Sequence, residues 1–199
     1  NGSLALTGVG VCMPIIMIVS AFAALVSSGG APRASIYMGK RDNQSAEQIL
    51  GNCFVLQIVV SFILTAVLLI WSEDLLLAFG ASENTIRYAV DYMHIYAIGT
   101  LFVQLTLGMN AFITAQGFTT TSMVSVLIGA ICNITLDPIF IFGFHMGVKG
   151  AALATVIAQG VSTCFVIHYL IKPTSQLKLR LKNIRFERKL LLPCILLGT

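Results

Sequence analysis

Long, uninterrupted apolar runs limit what this chain can fold into more than any other feature of its sequence. The first run continues from Leu4 to Ser28 without a charged side chain, and four more follow before residue 172. A run of about 17 to 25 apolar residues is long enough to cross a bilayer as a helix. Only 10% of the residues are charged, against about 25% in soluble domains. The sequence therefore predicts an all-α, polytopic transmembrane helix bundle.

The polar and basic segments between the apolar runs divide the chain into three parts. Residues 1–171 are predicted to form five complete spans, residues 172–189 a basic linker, and residues 190–199 the start of a further span. Gly29 to Arg33 is expected to end the first helix, because it combines two glycines with a proline. The chain has no initiating Met and both ends lie close to apolar runs, so we expect it to be a piece of a longer protein. The five predicted spans are approximately 4–28, 49–71, 85–115, 122–142 and 150–171.

Basic residues are distributed unequally between the two sides of the predicted bundle. When the spans alternate in direction, Arg87 and Lys149 lie on one side and the other ten of the twelve Lys and Arg residues on the opposite side. The positive-inside rule places the basic side in the cytoplasm. We therefore expect a multi-pass protein of the cell membrane with loops 33–41 and 172–189 in the cytoplasm. The basic linker is expected to contact anionic membrane lipids, and no nucleic-acid partner is predicted because no aromatic platform accompanies the charge.

One carboxylate lies deep in an apolar run. Asp137 is followed by Pro138, and it lies between the apolar residues Ile128, Ala130, Ile131 and Cys132 on one side and Ile139 to Phe142 on the other. A charged side chain at the centre of a bilayer costs roughly 2.5–3.5 kcal/mol on insertion scales. Hydrogen bonds between membrane helices contribute about 0.6 kcal/mol on average, which is too little to offset that cost. This comparison favours a functional role for Asp137 over a purely structural one.

The short connection between the last two complete spans predicts an antiparallel hairpin with a polar interior. Asp137 and Thr155 are each nine residues from Met146, and Asn133 and Gln159 are each thirteen residues from it, so each pair should lie at one depth. Pro138 also leaves a backbone carbonyl without its helical donor. Oxygen ligands of this kind suit Na⁺ or a titrating proton. The alternative for Asn133 and Gln159 is a simple hydrogen bond between helices.

The remaining candidate features predict less chemistry. Pro14 and Pro138 are candidate bending points, because proline removes a helical hydrogen bond. The five cysteines are scattered without metal-site spacing and read as buried thiols. No nucleophile–base pair or zinc-hydrolase motif is visible, so the chain is predicted not to be an enzyme and to need no cofactor beyond a coupling ion.

Several sequence blocks, in their order along the chain, resemble the MATE (multidrug and toxic compound extrusion) transporters. The resemblance covers nearly the whole chain and is specific as a combination, although any one block alone would be weak. The blocks are Gly30 to Lys40, Gly80 to Ser82, Tyr92 to Tyr96 with Gly99-Thr100, Ala115 to Gly117, Asn133 to Phe140, and Gly147 to Thr155.

This resemblance implies a twelve-helix transporter with two six-helix lobes, of which the chain would be helices two to six and the start of the seventh. It implies export of organic cations and other drugs in exchange for H⁺ or Na⁺. Asp137, Asn133 and Thr155 match the family's cation site, leaving Gln159 as polar support. A further Asp of that site belongs to the first helix, which this chain does not contain, and the second lobe would be missing as well. A lipid-linked oligosaccharide flippase of related architecture is the alternative, although the spans hold no basic residues for a pyrophosphate.

Overall fold

The computed structural model describes residues 2–172 and 175–180, and all regular structure within those residues is helical. Five of the helices are long and apolar enough to cross a membrane, as the apolar runs predicted. The helices are α1 (Gly2–Gly39), α2 (Asn43–Ile70), α3 (Ser72–Ala78), α4 (Ile86–Ala115), α5 (Thr119–Pro138), a π-helix (Ile139–Gly143) and α6 (Val148–Ile171). Most of the predicted linker and the predicted further span, 190–199, lie outside the described residues.

Helix α4 is the centre of the bundle and packs against α1, α2 and α6. Two buried glutamines hold α1 in place through its backbone. Gln57 of α2 donates from Nε2 to the carbonyl of Ala23 at 3.0 Å, and Gln104 of α4 donates to the carbonyl of Val19 at 2.7 Å. Such polar groups join helices in lipid, where apolar surface gains little by association.

The first helix is longer than the sequence predicted. It continues through Gly29 to Arg33 and ends at Gly39, so the predicted loop 33–41 contracts to a turn at residues 40–42. A Cβ added at Gly30 would meet Cys53 Sγ at 2.5 Å and Phe112 Cζ at 2.9 Å. This close packing against α2 and α4 keeps the segment helical, while Pro32 lies on the exposed side of the helix. Tertiary packing thus overrides the local tendency of glycine and proline to end a helix.

The turn after α1 is closed by a helix cap. Asp42 accepts hydrogen bonds from the Ser45 backbone N–H at 3.1 Å and from the Ser45 hydroxyl at 2.6 Å. These bonds hold the pKa of the Asp42 carboxyl below its usual value. Arg41 before it has a positive φ of 61°. Helix α2 therefore starts at a fixed point, directly beside the end of α1.

Helix α3 was not predicted from the sequence. It is only seven residues long and follows Trp71, at the end of α2 where the sequence analysis placed a loop. Leu76 is fully buried, and the Ser72 hydroxyl lies 3.0 Å from the His94 Nε2 atom of α4. This helix therefore packs across the same end of the bundle that carries the start of α4.

Candidate functional site

Helices α5 and α6 form the predicted antiparallel hairpin and bring two of the predicted site residues into contact. The Asn133 amide donates from Nδ2 to the Thr155 hydroxyl oxygen at 3.4 Å, a long hydrogen bond. The Thr155 hydroxyl in turn donates to the Ala151 carbonyl, one turn earlier in α6, at 3.0 Å. Asn133 lies five residues before the end of α5 and Thr155 seven residues after the start of α6.

The register of this hairpin differs from the predicted one by about one helical turn. The sequence placed Asn133 level with Gln159 and Asp137 level with Thr155, whereas the structure bonds Asn133 to Thr155. Nearer the turn, a Cβ at Gly150 would lie 2.9 Å from the Phe140 backbone, although Phe140 is six residues from Met146 and Gly150 only four. The hairpin is therefore not centred on Met146, as the predicted register assumed.

Asp137 supplies the most unusual group of the site. Its Oδ1 atom is completely buried and has no hydrogen-bond partner among residues 2–172 and 175–180. Buried polar atoms in native proteins nearly always have a partner, so an orphaned carboxylate oxygen calls for an explanation. Pro138 is next to it, at the point where the helix changes from α to π. Changes of this kind occur often at functional sites.

Tyr92 of α4 is a further member of the site that the sequence analysis did not assign. Its hydroxyl interacts with the Thr155 side chain and with the charge of the Asp137 carboxylate. Tyr92 is 6% exposed and stacks on Tyr96, with ring centroids 6.2 Å apart. In the sequence, Tyr92 was noted only as part of the block Tyr92 to Tyr96, which does not reveal which helix the hydroxyl faces.

A cavity of about 250 Å³ lies beside the contact between Asn133 and Thr155. Its wall combines the polar side chains of Asn133, Thr155 and Gln159 with small and apolar residues. The Gln159 Oε1 atom is buried and has no partner in the part of the chain that the structure describes. A cavity of this size and polarity can hold several water molecules. The remaining wall residues are Thr106, Leu107, Val126, Gly129, Ala130, Ala158 and Ser162.

The arrangement suits a small hard cation. A proton needs only the orphaned Asp137 oxygen. A Na⁺ ion needs several oxygen ligands, and here the Asn133 amide presents its nitrogen to Thr155. Rotation of that amide by a half turn would present its oxygen instead. Of the predicted bending points, Pro138 belongs to this site, whereas Pro14 lies within the continuous helix α1.

Comparison with known proteins gives consistent matches along the chain. A family model described as MatE matches residues 1–139. The multidrug export protein MepA of Staphylococcus haemolyticus is 29% identical over 183 residues, which are 92% of this chain and 40% of that protein. MepA of Staphylococcus aureus strain NCTC 8325 is 26% identical over 94% of this chain and 41% of its own length. The chain thus spans about 40% of the length of these curated relatives.

Solved structures match the fold closely. A multidrug resistance MATE family transporter of the MOP superfamily, in an inward-facing conformation, has a TM-score of 0.92 at 25% identity and covers 98% of this chain and 44% of its own. An outward-facing transporter of that description has a TM-score of 0.90 at 25% identity and covers 97% and 43%. A MOP superfamily transporter from Pyrococcus furiosus, described as having a binding pocket of reverse polarity that suggests a different function, has a TM-score of 0.90 at 26% identity and covers 100% and 44%.

Proposed function

Because this chain belongs to the MATE family, we propose that it forms most of the first lobe of a multidrug efflux antiporter. The complete protein would export organic cations and other drugs across the cell membrane in exchange for H⁺ or Na⁺. Its missing parts would be the first helix and a second six-helix lobe, giving twelve helices in two lobes. It would act as a transporter and not as an enzyme, with the bulk of the basic residues at the cytoplasmic end.

The observation that carries this proposal is the buried, unpartnered Oδ1 atom of Asp137. A carboxylate oxygen that is buried without a partner is high in free energy, and binding a cation lowers that free energy. Asn133 and Thr155 would complete the site, with Tyr92 orienting the Thr155 hydroxyl. Gln159 would serve as polar support in the adjoining cavity. Further ligands would come from parts of the full-length protein outside this chain.

Exchange follows if the two states of the transporter differ in affinity for the cation. A ligand shifts a conformational equilibrium only by its difference in affinity for the two states. When Asp137 has bound the coupling cation, the carboxylate is neutralised and the site no longer attracts a cationic drug. With Asp137 empty, the negative charge favours the drug. The cation and the drug thus compete for one charge, which couples their movements in opposite directions.

The alternative remains a flippase for a lipid-linked oligosaccharide. Such a protein would need basic side chains to bind a pyrophosphate. The wall of the described cavity contains no basic residue, which favours the cationic substrate.

Vesicles containing the full-length protein provide the test. We expect uptake of a fluorescent organic cation into inside-out vesicles to be driven by a pH gradient or by a Na⁺ gradient, each imposed separately. The gradient that drives uptake identifies the coupling ion. Uptake that responds to neither gradient, or transport of a lipid-linked pyrophosphate instead, would reject the antiporter.

A further inference from the structure

Residues 175–180, which follow α6, pack against one end of the helix bundle. Leu177 is fully buried and Leu179 is 9% exposed, and both belong to an apolar cluster formed by α1, α2, α4 and α6. The backbone N–H of Leu179 donates to the carbonyl of Leu170 in α6 at 3.0 Å. This part of the predicted basic linker therefore packs against the helix bundle. Contact with anionic lipid remains a prediction for the exposed basic side chains of the linker, such as Arg180.

Two buried polar side chains hold this segment in place. The Gln116 Oε1 atom accepts from the Leu177 backbone N–H at 3.0 Å and from the Ser175 hydroxyl at 2.9 Å. The Glu47 carboxylate accepts from the Lys178 backbone N–H at 3.3 Å and pairs with the Arg180 guanidinium at 3.1 Å. We call Glu47, Gln116 and residues 175–180 the clasp.

The clasp explains the alternating sequence at the start of the linker. Leucine and basic residues alternate from Leu177 to Arg180, as in a half-buried strand. In the structure the leucines face the bundle, while the Arg180 side chain is 60% exposed. The backbone groups that a neighbouring strand would have satisfied are bonded by Glu47 and Gln116. Those two residues come from the start of α2 and the end of α4, more than sixty residues apart.

We propose that the clasp makes residues 175–180 part of the first lobe and thereby shortens the tether between the lobes. The role of the tether rests on the proposed function, whereas the docking does not. Fully extended, residues 172–189 would span up to about 60 Å, and residues 181–189 alone up to about 30 Å. A closed clasp therefore halves the reach of the linker. Shorter tethers keep two linked modules at higher effective concentration, so the clasp restricts how far the second lobe can move away.

Accessibility of the docked segment tests the clasp directly. In a cysteine-free, full-length transporter, Leu177→Cys is labelled with a membrane-impermeant maleimide in inside-out vesicles. Because the Arg180 side of this ion pair is 60% exposed, the pair contributes up to about 1 kcal/mol, which corresponds to a change of about fivefold. We expect Arg180→Gln and Glu47→Gln each to raise the labelling rate by up to about fivefold. Their combination should add little, because both remove the same ion pair.

A matched control and a second readout accompany this experiment. Lys172→Gln removes an exposed positive charge just before the docked segment and should leave the labelling rate unchanged. Cleavage by trypsin after Lys178 should increase in Glu47→Gln without any cysteine present. Equal rates of labelling and cleavage in the clasp variants and the control would overturn the docking role of Glu47.

Transport separates the tether role from the docking role. We expect Arg180→Gln and Glu47→Gln to lower the maximal rate of drug efflux while the cation concentration for half-maximal transport stays the same. Faster labelling with an unchanged efflux rate would overturn the tether role. A wild-type protein that transports no drug would reject the proposed function, yet labelling and cleavage would still test the docking.

Discussion

Among the residues that the structure describes, Glu47 has a carboxylate of low exposure and Asp137 a buried carboxylate oxygen, and their partners distinguish their roles. Glu47 is 8% exposed and has a guanidinium and a backbone N–H as partners. Asp137 has a buried oxygen with no partner within the described ranges. A satisfied buried charge holds structure together, whereas an unsatisfied one is expensive and needs a ligand. This difference is why we assign cation coupling to Asp137 and docking to Glu47.

Replacement of Asp137 by its neutral isostere separates function from stability. We expect Asp137→Asn to reduce gradient-driven efflux at least about a hundredfold, since the proposed cation site loses its charge. The melting temperature in detergent should stay equal or rise, because an amide costs less than a carboxylate in apolar surroundings. Glu73→Gln, on the exposed first turn of α3, is the control and should transport normally. Wild-type efflux by Asp137→Asn, or its failure to fold, would contradict the assignment.

Tyr92 provides a finer test of the same site. Tyr92→Phe removes the hydroxyl that interacts with Thr155. One lost hydrogen bond corresponds to about 1 kcal/mol, or about fivefold. We expect the cation concentration for half-maximal transport to rise by about that factor, with little change in the maximal rate. Tyr88→Phe is the matched control, because Tyr88 is one turn away on α4 and packs against Gly8. An unchanged cation dependence in Tyr92→Phe would remove Tyr92 from the site.

At the scale of helices, the sequence predicted the spans well because bilayer thickness imposes their length. The predicted starts and ends of the later spans lie within a few residues of α4, α5 with its π-helix, and α6. The extension of α1 through Pro32 was missed, since it depends on how Gly30 packs against other helices. Helix α3 was missed because seven residues are too few for a periodic pattern. The hairpin register was missed because nothing in the sequence shows that the turn is not centred on Met146.

Gly30 tests whether packing is what keeps α1 continuous. Gly30→Val should destabilise the protein by roughly 1–3 kcal/mol, as overpacked cores generally do, because its Cβ would contact Cys53 and Phe112. The measurement is the melting temperature of the purified protein in detergent. Gly10→Val makes the same chemical change in the same helix, where a Cβ has no neighbour within 4 Å. Equal melting temperatures for the two variants would show that the tight contact at Gly30 does not stabilise the helix.

At the scale of the whole molecule, the described residues behave as one packed unit. The apolar cluster that includes the clasp joins four helices at one end, and a second cluster joins α1, α2, α3, α4 and α6 at the other. The chain matches an inward-facing and an outward-facing transporter almost equally well. Interiors this closely packed do not deform continuously. We therefore expect the lobe to move as a rigid body relative to the second lobe during transport.

An ion pair between α4 and α6, which pack against each other, offers a way to test this rigidity. The Asp91 carboxylate of α4 lies 3.3 Å from the ammonium group of Lys149 at the start of α6. We expect a short bifunctional thiol reagent to cross-link Asp91→Cys to Lys149→Cys in the full-length protein, and the cross-linked protein to keep most of its efflux rate. In a rigid lobe, residues 91 and 149 stay close together in the inward-facing and outward-facing states, so the cross-link does not restrict transport. Each single cysteine variant treated with the reagent is the control. Loss of efflux only in the cross-linked double variant would show that α4 and α6 separate during transport.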